Sequence, residues 1–182
     1  MGRESLHVDP RGFTATARHY IRDLVYGAND GIITTFAVVG GVTGGALSET
    51  AVLVIGAANL AADGVSMGVG NLLAIRAHER ARQAQNLPEE EAYPWKHGLA
   101  TLLAFVVAGA IPMLPFLLPI VTGSRAAWST AMTFAAMFLL GAVRAVITAE
   151  RWWRSGIETL LLGAVVALAA YGAGLIVAAA LA

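Results

Sequence analysis

Asn59, Asp63, Met67 and Asn71 recur every four residues, with Ser66 beside them. At 3.6 residues per turn, that spacing sets a carboxylate, a thioether and two amides along one gently spiralling helix face, about 6 Å apart. Such a ladder of oxygen and sulfur donors suits a partly dehydrated divalent cation passed stepwise between sites. It also suits proton exchange, because loss of water disfavours the charged form of a carboxylate. The bland alternative is that these side chains only join helices by hydrogen bonds and a salt bridge, with Arg144 the partner of Asp63 by depth. Met67 alone is more often core filler than a ligand.

The element that carries the ladder is a hydrophobic run from Thr50 to Ile75, 26 residues with Asp63 as the only charge. That length crosses a hydrocarbon layer of roughly 30 Å with some tilt. Asp63 then falls near the midplane, where a charge costs about 2.5–3.5 kcal/mol even on the mild insertion scale. Such a charge is tolerated against other protein or a water-filled path, which makes Asp63 the first candidate for the working residue.

The whole chain agrees with a membrane setting. Of its 182 residues 57% are hydrophobic and 13% charged, against about 25% charged in a soluble domain, and mean hydropathy is +0.67. Five spans are expected: Gly31–Ser48 (extended upstream into Tyr20–Asn29), Thr50–Ile75, Gly98–Val121, about Ala126–Ala149 and Thr159–Ala182. Residues 1–19 read as an N-terminal cytoplasmic or interfacial segment, and residues 20–182 as one transmembrane domain with a short cytoplasmic loop at 76–97. No secretory leader is expected, since residues 1–29 have no apolar core. The N-terminus, the 76–97 loop and the fourth turn hold 11 of the 12 Lys and Arg residues, leaving Arg125 opposite. The positive-inside rule puts the N-terminus in the cytoplasm and the C-terminus outside. Trp152 and Trp153 beside Arg151 and Arg154 read as an interfacial anchor, and residues 14–28 as an amphipathic interfacial helix.

Other candidates surround the ladder. Asp30 is either the cap of a helix beginning at Gly31 or, if the helix begins near Tyr20, a carboxylate facing the bundle near the cytoplasmic mouth. By rise per residue, Asp30 and Asp63 are expected to differ in depth by half the layer, with Met67 and Asn71 between them. Gly40/Gly44, Gly41/Gly45 and Gly64/Gly68 permit close helix approach. Pro112, Pro115 and Pro119 should kink the third span and free carbonyls that line a cavity; Met113, between two of them, either reaches that cavity or, on the favoured reading, fills the core. Pro88-Glu89-Glu90-Glu91 reads as a loop followed by a short helical start. Glu79, Glu89, Glu90 and Glu91, with His78 and His97, offer donors for Fe²⁺ or Mn²⁺, or else form a solvated charged loop. The absence of cysteine excludes thiolate ligands and disulfides. No nucleophilic triad, HExxH, phosphate loop or haem motif appears, so an enzyme is disfavoured.

Tyr26-Gly-Ala-Asn-Asp30-Gly-Ile-Ile-Thr-Thr-Phe-Ala-Val-Val-Gly-Gly resembles the opening of the vacuolar iron transporter family. Asn59-Leu-Ala-Ala-Asp63-Gly-Val-Ser-Met67-Gly-Val-Gly-Asn71, followed by Glu79, is similar to that family's second-span signature. Ala110-Ile-Pro-Met-Leu-Pro-Phe and Ser155-Gly-Ile-Glu-Thr-Leu-Leu-Leu-Gly resemble its third and fifth spans. The resemblance implies a dimer of five-span subunits exchanging Fe²⁺ or Mn²⁺ for protons, with Asp30 and Met67 on the metal path. Two departures stand out. Plant-type members have glutamate at Asn59 and a small residue at Asp63, so the carboxylate has moved one turn. They also carry a long Glu-rich cytoplasmic module between spans two and three, where this chain has about 20 residues.

The expectation is therefore an all-α integral membrane protein of the cell (inner) membrane, exporting Fe²⁺ or Mn²⁺ against protons. The candidate metal residues are Asp30, Asn59, Asp63, Met67, Asn71 and Glu79. The metal is cargo; no resident cofactor and no nucleic-acid partner are expected, and a homodimer is. The competing class is a non-transporting scaffold or partner-binding module, for which Asp63→Asn would be silent. Export of organic cations would want an aromatic-lined cavity, which the polar face of the second span does not offer.

Overall fold

The computed structural model describes residues 5–119 and 123–181. Six helices account for nearly all of it: α1 Phe13–Gly44, α2 Glu49–Ala84, α3 Pro94–Gly109, α4 Leu114–Leu117, α5 Arg125–Thr148 and α6 Trp152–Leu181. Four helical stretches are long and apolar enough to cross a membrane: Glu49–Ala84, Pro94–Leu117, Arg125–Thr148 and Trp152–Val177. Their large apolar side chains point outward, as at Leu161, Leu162, Val165, Leu168 and Ile176 of α6. A surface of that kind is stable against lipid, not water. At 32 residues α1 is about 48 Å long, but Asp23, Asn29, Asp30, Thr34 and Thr35 make it too polar to count by composition alone.

Local chemistry places the helix ends. Ser48 caps α2 by accepting from the Ala51 N–H, and Ser124 caps α5 by accepting from the Ala127 N–H. Pro94 opens α3, where its missing N–H costs nothing. The proline-rich end of the third span breaks as expected: α3 stops at Gly109, a 3₁₀ turn covers Ile111–Met113, and α4 follows. The freed Pro112 carbonyl does not line a cavity, because the buried Ser129 hydroxyl donates to it at 2.6 Å. Met113 is buried against Gly56, so it is core. Ile120–Thr122 and Ala182, the ends of two expected spans, lie outside the described residues.

Several readings of the helices need correction. Residues 14–28 are not a separate interfacial helix but the first half of α1, with Asp23, Gly27 and Ala28 buried. Asp30 is accordingly mid-helix and caps nothing. Arg76–Ala84 continues α2 for over two turns beyond the expected span, so the loop proper is 85–93, and no helix starts at Glu89–Glu91.

Glycines let α1, α2 and α3 meet at close range. A Cβ on Gly27 or Gly31 would lie 2.4 or 2.3 Å from the Thr101 or Phe105 carbonyl of α3, and one on Gly68 would lie 2.8 Å from the Gly98 carbonyl. The Gly64/Gly68 pair thus serves contact within one subunit. Gly41 faces Gly174 of α6, and Gly44 faces Tyr171. Val39, Val42, Val52 and Phe116 form a buried cluster near the α1–α2 turn.

A line of polar groups between the first three helices

The α1–α2 turn sets a common scale of depth for the two helices. Asp30 lies fourteen residues before Gly44, and Asp63 fourteen after Glu49, so each is about 21 Å from the turn. Gly31 and Gly64, their chain neighbours, both pack at the level of Phe105. The expected half-layer offset is therefore wrong. It took Asp30 as the edge of a span, whereas α1 runs on for seventeen residues before it. Met67 and Asn71 do not lie between the carboxylates; they continue the line one and two turns further toward the α1 N-terminus.

The ladder itself is present: Asn59, Asp63, Met67 and Asn71 are all half-buried on one side of α2, while Gly56, Gly64, Gly68 and Ile75 are buried. At its upper end, the Asn59 amide nitrogen is buried with no hydrogen-bond partner. At its lower end, the Asn71 amide donates to Asp23 Oδ1 and to Thr101 Oγ1, both at 2.8 Å. Arg144 is not a partner of Asp63. Its guanidinium donates to Ser155 Oγ at 2.8 Å and to Glu158 at 3.1 Å, tying α5 to α6.

Asp23 was not among the expected site residues, yet it is the most buried carboxylate among the described residues, 2% exposed. Its Oδ2 lies 2.5 Å from Nδ1 of His97, itself 5% exposed. The other His97 nitrogen, Nε2, is 3.0 Å from Glu91 Oε2. The sequence signal was available: Asp23 and Asp30 are seven residues apart, two turns on one face, once the helix is begun upstream of Asn29.

Below this pair a cavity of about 400 Å³ opens among Arg22, Asn71, His78, Glu79, Glu90, Glu91 and His97. Glu79 lines it and also holds its floor, since its Oε1 accepts the backbone N–H groups of Glu90 and Glu91 at 3.1 and 3.0 Å. His78 and Arg82 pair with Glu90. The segment before α1 lies along the same loop, with the Leu6 N–H donating to the Glu89 carbonyl at 2.7 Å. This brings His7 within 3.1 Å of Glu91. A hydrogen bond with His7, helped by Lys96, holds the Asp9 carboxyl below the ordinary carboxylate range.

A bundle of long, outwardly apolar helices with polar side chains between them is that of a multi-pass membrane protein. The VIT family model matches residues 21–93 and 75–175, and the chain belongs to that family. It is 24% identical to vacuolar iron transporter 1 of Eucalyptus grandis over 214 residues, covering 86% of each chain. It is 26% identical to vacuolar iron transporter 2 of Oryza sativa over 215 residues, covering 86% of this chain and 87% of that one. The Toxoplasma gondii vacuolar iron transporter is 40% identical over 87 residues, 43% of this chain and 29% of that one. Alignments longer than the 182 residues available require insertions in the plant proteins, and the two matched stretches meet at 75–93. Both facts fit an insertion between α2 and α3.

Proposed function

We propose that this protein is a proton-coupled exporter of Fe²⁺ or Mn²⁺ from the cytoplasm, seated in the cell membrane. The observation that carries the reading is the level placement of Asp30 and Asp63 on neighbouring helices, deep among apolar elements. Two adjacent carboxylates far from bulk water are satisfied either by one divalent cation or by protons, so loading one expels the other. Met67 adds a soft donor one turn below, and Asn71 with Asp23 leads down to the cavity. Asn59, whose buried amide nitrogen has no hydrogen-bond partner, stands one turn above Asp63 on the same face.

In this reading α1 is a fifth span, its polar face covered by α2 and α3. Arg18, Arg22, the 76–97 loop and Arg144–Arg154 gather at one end, the cytoplasmic one by charge; the Glu49–Arg125 pair marks the outer end. A second copy would cover the exposed stripe of small residues Ala58, Ala62, Ser66 and Gly70 on α2, beside Asp63 and Met67. The names of the plant and protozoan relatives support iron as cargo.

The test is flux in proteoliposomes holding a metal-sensitive dye under an imposed pH gradient. Fe²⁺ or Mn²⁺ should enter only with the gradient, and Asp63→Ala should bring entry to background. No entry, or entry indifferent to that substitution, would sink the reading.

A further inference from the structure

We propose that His7, His19, Glu91 and His97 form a divalent transition-metal site, separate from the Asp30–Asp63 pair, that clasps the N-terminal segment over the cavity. His7 Nδ1, His19 Nε2 and His97 Nε2 converge on one carboxylate, at 3.1, 3.5 and 3.0 Å from Glu91 oxygens. All three nitrogens are buried, and none makes a hydrogen bond of acceptable geometry. The donor atoms of His7, His19 and Glu91 lie within 4.8 Å of one another, the spread a single ion would draw together. The His7 and His97 side chains are each only 6% exposed.

The surroundings orient these rings as metal-bound imidazoles are oriented. Asp23 holds His97 Nδ1 at 2.5 Å, and Asp9 faces His7 Nε2 at 3.4 Å. A carboxylate only accepts, so each of these nitrogens carries a ring proton, and the opposite nitrogen of each ring points at Glu91. That second contact needs either another ring proton or a metal cation between nitrogen and carboxylate, and its poor hydrogen-bond geometry suits the ion better than the proton. The nearby cations are already paired, Lys96 with Asp9 at 3.6 Å and Arg22 with Asp23 at 3.6 Å. Three imidazoles and one carboxylate select Zn²⁺, Co²⁺ or Fe²⁺ over the oxygen-seeking Mg²⁺ and Ca²⁺. Only His7 comes from the N-terminal segment, so the ion would fasten that segment to α1 and to the start of α3.

The experiment is Zn²⁺ and Co²⁺ titration of the purified full chain in detergent, followed by calorimetry and Co²⁺ absorption. One tight site is expected, with no response to Mg²⁺. His7→Ala, His19→Ala and Glu91→Gln should each weaken it at least tenfold, and Asp23→Asn about tenfold through His97. His78→Ala should leave it unchanged. Zn²⁺ should also slow tryptic cleavage at Arg11 in the wild type but not in His7→Ala, a variant outside every helix. Unaltered binding in His7→Ala and His19→Ala would overturn the site, as would loss of binding in an Asp30→Asn/Asp63→Asn double variant. That double variant is expected to bind Zn²⁺ normally while losing flux, so the clasp and the transport reading fail separately.

Discussion

Asp23 is held by three side chains, His97, Asn71 and Thr101 through Asn71, with almost no water to replace any of them. Removing the acceptor of buried hydrogen bonds leaves their donors unsatisfied, which typically costs about 1–3 kcal/mol. Asp23→Ala should therefore lower stability by about that amount in detergent unfolding, whereas Asp63→Asn should leave stability nearly unchanged while stopping flux. Equal losses of stability in both would mean that Asp63 is a structural residue, as the scaffold reading requires. Asn59→Ala is a milder case. It removes an amide nitrogen that already lacks a partner, so it should not destabilise, and a reduced flux would place it on the path. At this scale, the depth of Asp63 on α2 was legible from the length of its apolar run. Asp23 was not, because a carboxylate beside arginines near a chain terminus looks solvated until its helix is known to continue.

The helices make those placements possible through backbone contact. Because a Cβ at Gly31 would lie 2.3 Å from the Phe105 carbonyl, Gly31→Ala must push α1 off α3. Overpacking of this kind costs about 1–3 kcal/mol or more, and it also separates Asp30 from Asp63. Lower thermal stability together with lower flux is the expected outcome, while Gly172→Ala on α6, with nothing within 4 Å, should change neither. Normal flux in Gly31→Ala would show that the carboxylate spacing is not critical. Spans three and four were readable from hydropathy to within four residues. The start of α1, the extension of α2 and the first seven residues of α6, Trp152 to Glu158, were not, since all three leave the apolar run and are held by packing rather than by composition.

For the molecule as a whole, the exposed small-residue face of α2 carries its own prediction. The chain has no cysteine, so Ala62→Cys introduces the sole thiol. Mild oxidation in membranes should give a covalent dimer, whereas Val165→Cys on the outer face of α6 should stay monomeric. The reverse result would move the interface to α6. The sequence by itself determined that this is a membrane-embedded helical bundle, which end of it is basic, and that a carboxylate sits deep on α2. Those properties follow from length, transfer cost and helical period, which are local. Only the tertiary structure decided that Asp30 and Asp63 are level, that Asp23, Asn71 and His97 meet, and that His7 reaches Glu91. Residues 33 to 84 positions apart become neighbours through an antiparallel turn and glycine-to-backbone contacts, and no local pattern encodes that register.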